Sequence, residues 1–172
     1  MAGKADIPSA FWQFSLSLYG RPGVPDLCIA LQDTHKIDVN VLFYLLFRAE
    51  QAEGFGVSTI ANLDAGIKGW RDEVVRPLRA VRRVLKTDAL ARLANDDDAL
   101  RQTIKAAELR AEKLQQYAIE RMGQTLGTTQ HPTPTAAASA SWQAYGAYLN
   151  TSLSNGALTK LVDACLTTWK GN

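Results

Sequence analysis

Histidine and cysteine are scarce, two of each in 172 residues, and that scarcity removes whole classes of chemistry. Metal sites need clustered ligands. His35 and His131 stand far apart, and neither a Glu-x-x-His nor a Cys-x-x-Cys pair occurs, which excludes di-iron bundles and zinc ribbons. No metal and no cofactor is expected. Cys28 and Cys165 each sit in an apolar helical pattern and read as reduced core residues, with a disulfide the poorer reading. Also missing are a Gly-x-Ser-x-Gly elbow, a Gly-x-x-x-x-Gly-Lys phosphate loop and an activating neighbour for either cysteine. No catalytic residue can be assigned, and a non-catalytic role is expected. The opening Met-Ala-Gly-Lys-Ala-Asp-Ile-Pro has no secretory apolar region. The most apolar run, Val39 to Phe47, is too short to span a bilayer. A cytoplasmic protein without membrane insertion is the expectation.

What is present favours helix. Alanine is abundant, and β-branched residues never gather into alternating runs. Ser9 can cap a helix to Tyr19, and the Gly20-Arg-Pro-Gly23 turn ends it. Pro25 opens a second helix to about His35. Asp38 caps a third, whose run Val39 to Leu46 is apolar nearly all round and so belongs at the centre. Gly54-Phe-Gly56 breaks the chain before a fourth helix, from Ser58 to about Lys68. Thr87 to Asp98 reads as a short amphipathic turn with an acidic cap. A long helix then runs from Asp97 to about Leu126 on the stripe Leu100, Ile104, Ala107, Ala111, Leu114, Ala118 and Met122. Gly127 to Ser141 is rich in Thr, Pro and Ala and lacks periodicity, so it reads as a linker. Trp142, Tyr145 and Leu149, then Leu158 to Trp169, form a helical hairpin about the Asn155-Gly156 turn. The expected architecture is all-α: a compact bundle of about five helices over residues 8–126, a linker over 127–141 and a C-terminal helical hairpin over 142–170.

Between the fourth helix and the long one lies a basic segment. Residues 71–86 hold six cations and two acids, a charge of +4 in a chain whose total is +2. Val74, Leu78, Val81 and Leu85 fall on one stripe, and Arg76, Arg79, Arg83 and Lys86 share another arc with Arg71 and Arg82 on its flank. Pro77 should kink this helix or mark its first turn. Arginine outnumbers lysine five to one, which suits phosphate or carboxylate recognition. Arg71, Arg76, Arg79, Arg82, Arg83 and Lys86 are therefore the candidate anion-binding residues.

Other constellations are weaker. Asn95-Asp-Asp-Asp98 stands at a helix start, where acids satisfy free N–H groups rather than gather magnesium. Residues 57–68 imitate a helix-turn-helix, but Ala61 and Gly66 are five apart and no Asn/Gln/Arg cluster follows, so sequence-specific DNA reading is not expected. Trp12 and Trp70 read first as core anchors and Asp38 and Asn40 as capping residues. Together the four could also line a pocket beside Arg71.

The motifs Phe11-Trp-Gln-Phe-Ser-Leu-Ser-Leu-Tyr-Gly-Arg-Pro-Gly-Val24, Leu31-Gln-Asp33, Asp38-Val-Asn-Val-Leu42 and Trp70-Arg71…Pro77-Leu78-Arg79…Arg82-Arg83 occur in this order. The ordered set resembles the proteobacterial domain-of-unknown-function 2390 family over about residues 10–115. The resemblance implies a small cytoplasmic helical bacterial protein and carries no activity with it. From the residues themselves, the leading expectation is a binding or accessory protein that presents helix 70–86 to an acidic protein or to RNA phosphate. The alternative is a small-molecule enzyme or ligand-binding protein, with Arg71 or Arg79 turned into a pocket between helices. An open arc of arginine heads favours the first, and heads converging in a pocket favour the second.

Overall fold

The computed structural model describes residues 9–87 and 98–169. Most of them are helical: α1 (Ala10–Tyr19), α2 (Val24–His35), α3 (Val39–Ala49), α4 (Val57–Trp70), α5 (Arg76–Thr87), α6 (Ala99–Gly123), α7 (Pro134–Tyr148) and α8 (Asn155–Trp169). Two short strands, Glu53–Gly54 and Thr129–Gln130, pair antiparallel with Glu53 opposite Gln130. The fold is all-α. Among the described residues no helix is long and apolar enough to cross a membrane.

Local chemistry sets the helix starts. The Ser9 hydroxyl accepts from the Trp12 amide at 2.9 Å, and Asp38 Oδ1 accepts from the Asn40 and Val41 amides at 2.8 and 3.2 Å. Residues Val41 to Leu46 of α3 are all at most 2% exposed. A helix apolar on every side must be covered on every side, and α1, α4, α6 and α7 all pack on α3.

The segment 71–75 between α4 and α5 is a π turn, in which the Arg76 amide donates to the Arg71 carbonyl. Pro77 has no amide to give, and its ring would clash with a carbonyl four residues back in an ordinary helix. One wide turn absorbs that conflict, and Pro77 lies in the first turn of α5, one of the two places its sequence context allows.

Two expectations need correction. The stretch 127–141 is not an unstructured linker: it holds the second strand, and α7 begins inside it at Pro134. The Thr133 hydroxyl accepts from the Ala136 amide at 3.1 Å with Pro134 in the first turn, a helix-start signal hidden by the Thr/Pro/Ala composition. Ala137, Ala138 and Ser141 are buried, and the C-terminal helices share one apolar core with α1 to α4, so the hairpin is no separate unit. The buried face of α6 is also not the expected apolar stripe. Leu100 and Leu114 are exposed, whereas Glu108, Gln115 and Gln116 are buried beside Ala111 and Ile119. The turn expected from Thr87 to Asp98 lies, apart from its ends, outside the described residues.

Gly123 ends α6 against the Tyr44 ring, where a β-carbon would overlap the phenol oxygen. Arg48 donates to that oxygen at 2.7 Å, so the ring is held in place. Gly123→Ala should therefore lower stability by about 1–3 kcal/mol through overpacking, although alanine is the better helix former by about 1 kcal/mol. Thermal denaturation checks this, and an equal or raised melting temperature would contradict it.

Candidate functional site

A cleft of about 850 Å³ opens between α1, the α2–α3 junction, the π turn with α5, and α6. No residue of α5 is fully buried: Leu78, Arg79, Arg82 and Leu85 are half-buried, whereas Arg76, Val81, Arg83 and Val84 are exposed. On the basic face of this helix, Arg76, Arg79, Arg82 and Arg83 line the cleft.

Carboxylates on α6 receive this face. Arg79 Nε donates to Glu108 Oε1 at 2.9 Å, and its Nη2 donates to Glu112. Arg82 donates to the same Glu108 from Nε and, at 3.2 Å, from Nη2. Glu108 is 5% exposed. Burial works against its charge, but the two arginines outweigh burial and hold its pKa below the ordinary carboxyl value. Glu112 goes the other way. Burial raises its pKa, Arg79 offsets only part of the rise, and Glu108 adds to it.

At the other end of the cleft the π turn delivers Arg71. This guanidinium is shared between Asp64, bound through both terminal nitrogens, and Asp38 Oδ2 at 3.3 Å. Burial opposes its charge, but the two carboxylates raise its pKa despite that. Tyr148 donates to Asp64 at 2.9 Å, and the Asp38 amide donates to the Tyr145 hydroxyl at 2.9 Å, so α7 braces both acids. Gln115 Nε2 donates to Asp38 Oδ2 at 3.0 Å, and Gln116 Nε2 donates to Asn40 Oδ1 at 2.8 Å.

Several of these side chains have unused hydrogen-bonding capacity. Ser15 Oγ, Arg71 Nε, Gln115 Oε1 and Gln116 Oε1 are buried without a hydrogen-bond partner in the protein, and all four residues line the cleft. The nearest carboxylate to Arg71 Nε, that of Asp72, is 3.6 Å away. A buried polar atom left unpaired costs about 1–3 kcal/mol.

Of the residues singled out in the sequence, the cleft unites Trp12, Asp38, Asn40, Arg71, Arg76, Arg79, Arg82 and Arg83. It does not include Trp70, whose indole N–H is spent on the Ala111 carbonyl at 3.0 Å, or Lys86. Sequence reasoning missed Ser15, Glu108, Glu112, Gln115 and Gln116. The signal available was the spacing of Glu108, Glu112 and Gln115 on one side of a long helix, opposite a segment with surplus arginine. Cys28 also lines the cleft, but burial pushes its thiol up to about 12, so it stays a neutral group rather than a nucleophile. Among the described residues no three His, Cys, Asp or Glu side chains are grouped so as to hold a metal ion.

The fold and the site define an all-helical protein organised around an arginine-lined cleft. Residues 10–119 match the family described as Protein of unknown function (DUF2390), and the chain belongs to that family. Every residue that lines the cleft, from Trp12 to Gln116, falls inside the matched span. No curated protein and no solved structure matches the chain.

Proposed function

We propose that the protein is a ligand-binding protein whose cleft takes a small anionic molecule. The observation that carries this reading is that four arginines of α5 line one cavity, with Arg79 and Arg82 half-buried there. Seven cations and four acids line the cleft, an excess of three positive charges that falls to one when Asp64 and Asp72, which pair with Arg71 and Arg76 from outside it, are counted. The volume falls in the range of small-molecule sites, about 300–1,000 Å³. The exposed side chains of Leu16, Tyr19, Ile29 and Leu109 add apolar lips to a polar floor. The buried free thiols of Cys28 and Cys165 fit a reducing compartment, which we take to be the cytoplasm.

The acidic protein or RNA partner expected from the charge pattern has less to hold. Arg71, Arg79 and Arg82 are engaged by internal carboxylates and Arg76 by Asp72. The test compares ribose 5-phosphate and citrate with single-stranded polyuridylate RNA, by thermal unfolding of the full chain. Both small anions should raise the melting temperature saturably, a ligand at 100 times its Kd being worth about 2.7 kcal/mol. Arg83→Glu should leave folding within about 0.5 kcal/mol of the parent and weaken both. Tight, steeply salt-dependent RNA binding with no response to either small anion would return the arc to a macromolecular partner.

A further inference from the structure

The apolar lips narrow the ligand further, and we propose that the cleft takes an amphiphilic monoanion, a medium-chain carboxylate with its head between Arg83 and Lys105 and its chain along Leu109, Leu16, Tyr19 and Ile29. This inference rests on the cleft being a small-anion site. It adds the charge of the guest and what the guest carries besides charge.

Charge places the head. Arg79 reaches Glu108 and Glu112 of α6 while Arg82 reaches Glu108, so the two helices run antiparallel with their partners in register. The next turn in that direction carries Arg83 on α5 and Lys105 on α6, both exposed and both lining the cleft. No described side chain is in ion-pair contact with either. Glu108, one turn from Lys105, is taken by two arginines, and Asp98 is held by Arg101 and Gln102. Two cations therefore end the ladder without a carboxylate of their own. The surplus of one positive charge, once Asp64 and Asp72 are counted, is matched by a single carboxylate, whereas a dianion overshoots it.

Spacing places the chain. Leu109 is four residues after Lys105, hence on the same face of α6 one turn away. Leu16 and Tyr19 share the cleft face of α1 with Trp12 and Ser15 at helical spacing, and Ile29 shares that of α2 with Gln32 and Lys36. Tyr19 ties these walls together. Its ring lies 6.3 Å from that of Phe43 on α3. Burial raises its pKa, with Cys28 and Glu112 adding to the rise and Arg79 and Arg82 opposing it, so α2, α5 and α6 all come near it. Leu16, Tyr19, Ile29 and Leu109 are 46%, 44%, 47% and 48% exposed. One exposed leucine needs no explanation, but four large apolar side chains from three helices at one cavity offer a hydrocarbon chain a surface to cover. A sugar phosphate or citrate would leave them in water.

The experiment is a calorimetric titration of the full chain with butanoate, hexanoate and octanoate at neutral pH, and with 1-octanol, ribose 5-phosphate and citrate. Each added methylene should tighten binding about two- to fourfold, so octanoate should bind at least about tenfold tighter than butanoate. It should also bind tighter than ribose 5-phosphate and citrate. 1-Octanol keeps the chain and lacks the charge, and should bind at least about tenfold weaker than octanoate. Lys105→Glu should weaken octanoate by a similar factor without affecting 1-octanol. Replacing both exposed leucines, Leu16→Ser with Leu109→Ser, should cut the octanoate-over-butanoate preference below about threefold and leave butanoate unchanged. If that variant fails to fold, the ligand series on the parent protein still decides. Octanoate binding no tighter than butanoate, or weaker than ribose 5-phosphate or citrate, overturns the amphiphile assignment while the anion site stands. A chain-length preference that survives the double substitution, or 1-octanol binding as tightly as octanoate, overturns it as well. No response to any of the six overturns the amphiphile assignment and the small-anion reading together.

Discussion

Arg71→Ala should destabilise the protein by about 3–5 kcal/mol, the cost of removing one partner from a buried charge cluster. Asp38 and Asp64 have side chains 8% and 13% exposed, and Arg71 is the cation between them. Without it, two carboxylates are left facing each other in a poorly solvated place, one of them also the cap of α3. Most domains hold only about 5–15 kcal/mol in total, so such a loss is large enough to leave the variant partly unfolded at room temperature. Arg71→Lys should recover only part of it, because one ammonium cannot reach both acids with the planar fork of a guanidinium. Urea denaturation of the single variants and of Arg71→Ala with Asp64→Asn supplies a double-mutant cycle, in which the coupling should reach about 1.5–3 kcal/mol. A loss below about 1 kcal/mol would mean that the guanidinium is solvated and that the π turn does not bring it into the cluster.

The second large effect concerns Glu108, and it has a pH signature. Glu108→Gln should cost about 2–3 kcal/mol at neutral pH, because Arg79 and Arg82 lose their shared counter-charge while keeping a neutral acceptor. Both guanidiniums retain about a quarter of their exposure, which holds the cost below that at Arg71. The folded state lowers the Glu108 pKa, so its contribution is present above the unfolded carboxyl value and disappears as pH falls through the lower folded value. The parent protein should therefore lose this increment on acidification below about pH 4.5, and Glu108→Gln should lack it. Glu112 has the opposite sign. Its folded pKa is raised, so its contribution is greatest below the unfolded value and fades as pH rises through the folded one. Stability profiles of the parent, Glu108→Gln and Glu112→Gln in urea from pH 3 to 8 separate the two acids. A Glu108→Gln profile parallel to the parent over the acid range would show that the pairing with Arg79 and Arg82 contributes nothing to folding.

These carboxylates also give the basic helix partners that composition alone does not show. An arc of arginines on an amphipathic pattern reads as a solvated face, since charge normally stays in water and valine normally leaves it. In this protein Arg79 and Arg82 are half-buried alongside Leu78 and Leu85, while Val81 and Val84 are exposed. Covering those two arginines requires acids on a facing helix, and a single helix carries no information about what faces it. The same reasoning accounts for α6, where Leu100 and Leu114 gave way to Glu108, Gln115 and Gln116 as buried residues. Apolar periodicity ranks residues by their cost in a neutral core. It cannot price a buried amide that meets Asp38 or Asn40.

What the sequence determined by itself was everything governed by neighbours within a few residues. The helical class, the Ser9 and Asp38 caps, the turn after α1 and the all-round apolar character of α3 follow from spacing and capping chemistry. Even the start of α7 was written locally in Thr133 and Pro134, though concealed by its composition. Tertiary structure decided the partners of charge. The pairings of Arg71 with Asp38 and of Arg79 with Glu108 span 33 and 29 residues. Whether an arginine lies open in water or is held in a cleft depends on the carboxylate that the fold brings to it, because ion pairs act through space and leave no period in the chain.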